Sequence, residues 1–474
     1  MKGVKKEYDV IIIGAGIAGL AAGCYAQMNG YKTKIFELHD KPGGVCTFWK
    51  RKGYTIDGCL HWLVGSSPAS NFYKIWGELG AVQGRRMIYH DVFMRVEGKE
   101  GKAFNVYTDL DRLEQHMKEL APGDKEVIEE FIKDIHACNS PEILKVMEKW
   151  KSISVQDFAN RFKDPFLRKS LPFPPESPII DLLMPLAMVK SAGWPIGGSL
   201  EFSRAIERRY LGLGGEIHYR SPVTKILVEN NQAVGVRLAD GTEHRADWVI
   251  SAADGHATIF DMLDGKYIND TIRGYYDNLP LFTPLVYVAL GVARSFEDLP
   301  RSVMGISYPL NEPVTNAGKE LTKLMVSIYN FDPTLAPPGK TVLKVMIPTD
   351  YAYWKSLRKY PDRYRAEKEK IAETVINLLD QRFPGLAAQV EMRDVATPIT
   401  WERYTNNWKG SYEGWYVTAE QFGIRISKTL PGLKSFYMAG QWVEPGGGVP
   451  TAAKSGRETI QLICKQDKKS FVTN

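Results

Sequence analysis

Residues 8–44 read YDVIIIGAGIAGLAAGCYAQMNGYKTKIFELHDKPGG. The apolar run Tyr8–Ile13 predicts a short strand that is buried in a parallel sheet. It is followed by the three glycines of the pattern G-x-G-x-x-G, Gly14, Gly16 and Gly19. A helix is predicted over about 17–29, and residues 32–37 predict a second strand that ends in an acid. Together these features are typical of a βαβ unit that binds a dinucleotide.

Each glycine of this pattern has its own physical task. Gly14 permits the tight turn, Gly16 lets the backbone approach a pyrophosphate, and Gly19 allows close packing of helix on strand. The N-terminus of the helix offers free N–H groups and the positive end of its dipole to phosphate oxygens. Glu37 lies at the spacing expected for the acid that binds the ribose hydroxyls, which favours FAD or NAD over NADP.

The composition excludes several classes of protein. The chain has 474 residues, 44% hydrophobic and 24% charged, which predicts an ordinary globular protein with two domains. A net charge of +6 is mild for this length, so nucleic-acid binding is not expected, whereas contact with an anionic membrane surface is left open. No signal peptide or transmembrane run is predicted, and no zinc site or disulfide framework either. A reducing, cytoplasmic location therefore fits the five scattered cysteines, Cys24, Cys46, Cys59, Cys138 and Cys464.

The order of patterns along the chain predicts two interleaved domains. Strands followed by glycine-rich turns, which are typical of nucleotide-binding domains, are predicted at the start, in the middle and at the end of the chain. Amphipathic helices are predicted over about 108–170. We predict an α/β fold in which a discontinuous cofactor domain carries an inserted α+β substrate domain. The cofactor domain is predicted to comprise residues 1–85, 190–270 and 416–474, and the substrate domain residues 86–189 and 271–415.

Further motifs extend over nearly the whole chain. They are GG at 43–44, DGCLHW at 57–62, WPIGG at 194–198, GGEI at 214–217, VTKI at 223–226, ADWVISAAD at 246–254, TP at 397–398, ERY at 402–404 and AGQWVEPGGGVP at 439–450. Together with the opening unit they resemble the phytoene desaturase, carotenoid isomerase and retinol saturase group of flavoproteins. The resemblance implies a glutathione-reductase-like, FAD-binding Rossmann domain.

One departure from that group leaves the direction of the reaction open. Bacterial phytoene desaturases usually have an arginine after the double glycine, where this chain has Val45 and Cys46. Together with His61, this feature is closer to the isomerases and saturases of the group.

The cofactor implied by the resemblance is FAD. A flavin must be held along its whole length, and the glycine loop at 440–450, followed by a helix over about 451–463, offers a second binding segment. The resemblance places His61 and Trp62 near the flavin ring and brings the backbone of Val223 to the adenine. The implied cofactor-binding residues are Gly14, Gly16, Ile17, Ala18, Gly19, Glu37, Gly43, Gly44, Val45, His61, Trp62, Val223, Ala252, Gly440, Gln441, Gly447, Gly448 and Val449.

Two residues are candidates for catalysis, and each has a plainer alternative. His61 could act as acid or base near neutral pH, or it could only hydrogen-bond backbone or flavin. Glu444 could contact substrate or ribityl hydroxyls, or it could be a solvated loop charge. Cys46 suggests a covalent flavin link or a redox role, with a buried thiol as the simpler interpretation. No metal site is predicted.

The predicted function is that of an FAD-dependent oxidoreductase acting on carbon–carbon double bonds of a long apolar polyene or isoprenoid. Because G-x-G-x-x-G occurs once, the electron partner is expected to be a quinone, oxygen or another reductant, unless the reaction has no net electron change. The alternatives are an amine-oxidase-like flavoenzyme and a non-catalytic flavin-dependent binding protein.

The apolar stretch 179–189 allows two interpretations as well. Part of it could lie in the wall or mouth of an apolar substrate tunnel or dip into a membrane interface, or it could be a core helix interrupted at Pro185. Charge introduced at Leu183 or Leu186 distinguishes these interpretations.

Overall fold

The computed structural model describes residues 7–173, 175–418, 421 and 423–474. The strands are β1 (Tyr8–Ile13), β2 (Thr33–Phe36), β3 (Phe48–Arg51), β4 (Tyr54–Asp57), β5 (Met87–Ile88), β6 (Val92–Glu97), β7 (Ala103–Tyr107), β8 (Trp194–Pro195), β9 (Glu216–His218), β10 (Val223–Glu229), β11 (Gln232–Leu238), β12 (Glu243–Ser251), β13 (Leu285–Val292), β14 (Ile306–Asn316), β15 (Lys319–Ile328), β16 (Thr341–Pro348), β17 (Val390–Ala396) and β18 (Phe436–Met438).

The helices are α1 (Ile17–Met28), α2 (Tyr73–Glu78), α3 (Leu110–Leu120), α4 (Lys125–Ala137), α5 (Ile143–Trp150), α6 (Val155–Ala159), α7 (Pro165–Lys169), α8 (Ile180–Val189), α9 (Gly198–Gly212), α10 (Asp270–Asn278), α11 (Tyr351–Leu357), α12 (Pro361–Arg382), α13 (Pro398–Thr405) and α14 (Val449–Gln466). The opening βαβ unit is therefore confirmed, with β1, α1 and β2 within a residue or so of the predicted bounds at nearly every end.

The first sheet contains the predicted nucleotide-binding strands. Its parallel part has the order β9-β2-β1-β12-β18, and β10 and β11 continue from β12 as an antiparallel extension. The strand β12 is long enough to pair with β11 through its first residues and with β18 through its last. Strands from the start, middle and end of the chain thus meet in one sheet. The apolar side chains of β1 are fully or almost fully buried, as a strand covered on both faces requires.

The second sheet has the order β17-β13-β16-β15-β14-β6-β7 and is antiparallel except where β14 pairs with β6. All its strands fall within the ranges predicted for the substrate domain, as does the helical segment α3–α8. The boundaries of the two domains stay a prediction. The largest core cluster spans both predicted domains, because Tyr287 and Ala289 of β13 belong to it together with side chains of β1 and α1.

The helix α8 agrees at two of its residues with the core interpretation of the stretch 179–189. Leu183 is 0% exposed and Leu186 is 2% exposed, and both belong to the core formed by α3–α8 with β6 and β7. These two side chains are therefore core residues and do not line the cavity described below. Within the described part of the chain, no helix combines the length and the apolar character needed to cross a membrane.

Candidate functional site

A cavity of about 400 Å³ lies at the carboxyl end of the parallel strands. Its wall includes the residues that directly follow four of them: Gly14 after β1, Glu37 after β2, Ala252 after β12 and Ala439 after β18. Open α/β sheets bind ligands in this place, because loops leave the strands there and leave a crevice between them. The position of the cavity thus follows from the sheet topology.

Two helix N-termini face this cavity without a capping side chain. Gly16 is the N-cap of α1 and Gly448 that of α14; neither helix has a side-chain cap or an acid in its first turn. Both glycines line the cavity. The first N–H groups of a helix lack partners within the helix, and the dipole makes this end positive. The cavity is therefore suited to a ligand that is anionic at two places.

The glycines of the opening turn differ in what surrounds them. A Cβ added to Gly16 would meet no atom within 4 Å, so its α-carbon faces open space in the cavity. A Cβ on Gly19 would lie 2.0 Å from the carbonyl oxygen of Gly14. Gly16 thus leaves room for a ligand against the backbone, whereas Gly19 serves the packing of α1 on the turn. This arrangement fits a bound pyrophosphate.

Glu37 lies where the sequence predicted a ribose ligand. The residue is 6% exposed and lines the cavity. One oxygen accepts from the N–H of Ala15 at 2.6 Å and the other from the N–H of His39 at 2.8 Å. Burial raises the pKa of this carboxyl, while the backbone donors act in the opposite direction. Glu37 therefore also holds the glycine turn in place, a role that sequence reasoning did not assign to it.

We call the part of the cavity wall beside the late glycine loop the late-loop end. It is formed by Cys46, Cys59, Tyr412, Glu413, Gln441 and Trp442. Gly447 approaches this group so closely that an added Cβ would lie 2.7 Å from the Cβ of Glu413. The φ angle of Gly447 is +64°, which is a second reason why glycine is required at this position.

Glu413 is a functional candidate that the sequence did not reveal, since it stands in no recognised motif. Its carboxyl lines the cavity, and burial alone raises its pKa to about 7. No side-chain hydrogen bond or ion pair holds it among the described residues. A carboxyl of this kind can change its protonation state near neutral pH, which is the property of an acid–base group.

Behind the late-loop end, Ser199 joins two chain segments. Its N–H and hydroxyl donate to the two carboxylate oxygens of Asp57, at 2.6 and 2.7 Å, and its carbonyl accepts from the Cys46 thiol at 3.6 Å. The hydroxyl of Ser199 also accepts from the N–H of Leu60 at 2.9 Å. This network fixes the segments that carry Cys46 and Cys59.

The structure brings most of the predicted cofactor residues together. Those lining the cavity are Gly14, Gly16, Ile17, Ala18, Glu37, Gly43, Gly44, Val45, Val223, Ala252, Gly440, Gln441, Gly448 and Val449. Gly19, His61, Trp62 and Gly447 are outside that lining. Gly19 and Gly447 serve packing instead, and Trp62 lies edge-on to Phe93 at 5.5 Å, beside the helical core.

The two predicted catalytic residues lie elsewhere. Glu444 forms an ion pair with Lys428, whose ammonium also donates to Ser455 at 2.9 Å, and it is outside the lining of the cavity. Its contact with substrate or ribityl hydroxyls stays a prediction. His61 has no partner for its buried Nδ1 among the described residues. Burial, and to a lesser degree the charge of Lys344, lowers the pKa of His61 well below its ordinary value. The imidazole is therefore neutral, and it cannot act as an acid through its charged form.

The loop after α13 supplies lining residues that the sequence did not single out. Arg403, Tyr404, Asn406 and Asn407 all face the cavity. Within the described ranges Arg403 has no carboxylate partner, and its guanidinium lies 5.2 Å from the ring centre of Tyr404. The ERY motif indicated the region but not this role. An unpaired guanidinium adds to the anion-binding character of the site.

Comparison with known proteins agrees with this geometry. The family described as flavin containing amine oxidoreductase matches residues 17–464. The chain is 26% identical to a prolycopene isomerase of Arabidopsis thaliana, covering 96% of this chain and 83% of the relative. It is 24% identical to a lycopene-forming phytoene desaturase of a Paracoccus strain, covering 96% of both chains.

Solved structures show the same fold. An oxidoreductase from Methanosarcina mazei aligns with a TM-score of 0.63 at 19% identity, covering 96% of this chain and 100% of that one. A putrescine oxidase bound to putrescine aligns with a TM-score of 0.59 at 16% identity, covering 97% of this chain and 99% of that one. The predicted fold class and the resemblance to the desaturase and isomerase group are confirmed.

Proposed function

Since this chain belongs to the flavin-containing amine oxidoreductase family, we propose that it is an FAD-dependent oxidoreductase that acts on carbon–carbon double bonds of a long apolar polyene. The family match confirms the predicted flavin cofactor. The proposal for the substrate rests on one observation above all, the full-length similarity to prolycopene isomerases and phytoene desaturases.

The residues of this chain have three tasks in that function. The uncapped N-termini of α1 and α14, together with Arg403, hold the anionic part of FAD. Glu37 offers charged acceptors to ribose hydroxyls and keeps the glycine turn in shape. Glu413 holds or releases a proton at the late-loop end. When bound, FAD supplies two-electron hydride chemistry.

The substrate class is tested with two polyenes of different kinds. Purified, FAD-loaded protein is incubated without oxygen with detergent-dispersed phytoene or prolycopene, with the flavin oxidised or chemically reduced. Desaturation moves the absorbance of the product to longer wavelengths, saturation moves it to shorter ones, and isomerisation changes retention at constant mass. The Gly16→Val protein, which we expect to lack FAD, is the control.

Conversion of either polyene that depends on flavin supports the proposal. If loaded protein converts neither but oxidises an amine such as putrescine, the amine-oxidase-like alternative replaces it. If it converts none of the three compounds and its flavin is not reduced by them, the proposal for a polyene oxidoreductase is wrong.

The cellular setting is part of the same proposal. A polyene partitions into the apolar interior of a bilayer, so a cytoplasmic enzyme that uses one meets it at a membrane surface. We propose peripheral contact, which sedimentation with anionic liposomes tests directly. Protein that stays in the supernatant at low and at physiological salt would contradict it.

A further inference from the structure

Cys46 and Cys59 face each other across a hairpin at the cavity. β3 and β4 pair in antiparallel register, with Phe48 opposite Asp57, and the N–H of Gly58 donates to the carbonyl of Thr47 at 3.0 Å. Cys46 and Cys59 each lie two residues beyond the last strand pair, Phe48 and Asp57, and their side chains interact directly. Two side chains that interact directly can form a disulfide, which needs Cβ atoms about 3.5–4.5 Å apart.

The surroundings of the two thiols are those of a built site. Both line the late-loop end of the cavity. The carbonyl of Cys46 accepts from the Ser203 hydroxyl at 2.7 Å, and its N–H donates to Gly43 at 2.9 Å. The N–H of Cys59 donates to Asp57 at 3.1 Å. Both backbones are thus held by hydrogen bonds while the two side chains face one space.

The electrostatics favour the uncharged thiol of Cys59. The thiol of Cys46, burial, and the charges of Asp57 and Glu413 raise the pKa of Cys59 well above its ordinary value. A dithiol and a disulfide are both neutral, so burial penalises neither of them. Thiols react with oxidants as thiolates, and the raised pKa disfavours the thiolate of Cys59.

We propose that Cys46 and Cys59 form a redox-active pair that exchanges two electrons with the flavin. This inference rests on the proposed function, which supplies the cofactor. On oxidation two S–H bonds break and one S–S bond forms. Two electrons and two protons pass to the oxidised flavin as the electron acceptor; reduction of the disulfide by the reduced flavin is the reverse.

This assignment gives the pair a role in the reaction. The dithiol stores two electrons beside the cofactor and can return the flavin to one oxidation state between turnovers. Such a store suits an enzyme whose reaction has no net electron change but needs a defined flavin oxidation state. It also replaces the simple interpretation of Cys46 as a buried packing residue, because packing alone does not require a second thiol opposite it.

The first test maps the bond in the wild-type holoprotein. The protein is oxidised with diamide, its free thiols are blocked under denaturing conditions, and its peptides are analysed by mass spectrometry without reduction. We expect a linked peptide pair containing Cys46 and Cys59, which disappears after treatment with dithiothreitol. Cys24, Cys138 and Cys464 are expected as blocked free thiols.

The second test counts electrons. Under anaerobic conditions, diamide-oxidised holoprotein freed of excess diamide is titrated with dithionite while flavin absorbance is followed. Wild-type protein should consume two more electrons per flavin than Cys46→Ser or Cys59→Ser. Cys138→Ser, which alters a buried cysteine of the helical core away from the cavity, should titrate like the wild type.

The outcomes separate this inference from the proposed function. Protein that releases FAD on denaturation but yields no linked peptide, and titrates like Cys59→Ser, overturns the cysteine pair alone. Protein that yields no FAD overturns the proposed function and the pair with it, since the electron acceptor is then missing. Because the linked peptide is sought in the wild type, the result does not depend on the folding of any variant.

Discussion

The Glu37 carboxylate accepts a hydrogen bond from the N–H of Ala15 over 2.6 Å, which ties the end of β2 to the glycine turn after β1. Ala15 lies between Gly14 and Gly16, both of which line the cavity. One acid therefore shapes the turn and faces the ligand at the same time.

Removing this carboxylate should weaken cofactor binding strongly. Glu37→Ala loses charged acceptors to the ribose and leaves the N–H of Ala15 without its partner. Charge-assisted hydrogen bonds contribute about 1.5–3 kcal/mol, so we expect FAD affinity to fall by about 10- to 100-fold. Titration of apoprotein with FAD, followed by flavin fluorescence, measures the change. Unchanged affinity would show that Glu37 is not the ribose ligand.

Two glycines of the opening turn should respond in opposite ways. Gly16→Val should abolish FAD binding and leave the apoprotein folded, since its Cβ enters open cavity space. Gly19→Val should reduce the stability of the apoprotein itself, because its Cβ would lie 2.0 Å from the Gly14 carbonyl oxygen. Flavin content and the thermal midpoint of the apoprotein distinguish the two. Gly16→Val protein that keeps full flavin absorbance would exclude a pyrophosphate at this turn.

Arg403 should contribute charge to cofactor binding. Arg403→Gln removes the cavity-lining guanidinium that has no carboxylate partner within the described ranges. We expect weaker FAD binding and a smaller loss of affinity when salt is raised, because less attraction is left to screen. Arg358→Gln, outside the cavity lining, serves as the matched control. Equal salt dependence in both variants would exclude the contact.

Glu413 should make stability depend on pH in a defined direction. Its pKa is raised from 4.5 to about 7 on folding. The folded state therefore holds the proton more tightly, and the stabilisation from this group is complete below pH 4.5 and is lost as pH rises through 7. Fully lost, it amounts to about 3 kcal/mol.

The neutral variant Glu413→Gln tests this. Its stability relative to wild type should be higher at pH 8.5 than at pH 5 by up to about 3 kcal/mol in chemical denaturation of the apoprotein. Glu458→Gln, which alters a carboxylate paired with lysines outside the cavity lining, should show no such gain. A pH-independent difference between Glu413→Gln and wild type would mean that Glu413 is ionised throughout.

The helix α8 should behave as core. Leu183 is fully buried, so Leu183→Ala should lower the free energy of unfolding by about 2–5 kcal/mol. Flavin content per folded molecule should not change, since Leu183 does not line the cavity. Met184→Ala on the same helix is half-buried and should cost less. Normal stability with impaired turnover in Leu183→Ala would restore the hypothesis that this residue lines the substrate path.

The sequence alone determined the cofactor unit. The pattern G-x-G-x-x-G after an apolar strand, with an acid at the end of the next strand, is specific for the tight turn between strand and helix in a dinucleotide-binding βαβ unit. The geometry is local, so spacing along the chain predicts it. For the same reason the strands and helices of this unit, and the lining residues Gly16, Glu37 and Gly448, could be predicted without the fold.

The tertiary structure alone decided which side chains meet at the late-loop end. Glu413 and Gly447, like Cys46 and Ser199, are far apart in sequence, and their contacts depend on how the sheets and loops pack. Burial then sets their chemistry: it raises the pKa of Glu413, whereas Glu444 is neutralised by Lys428 outside the cavity wall. A carboxylate looks the same in the sequence in both places, and its solvation and partners are properties of the folded chain.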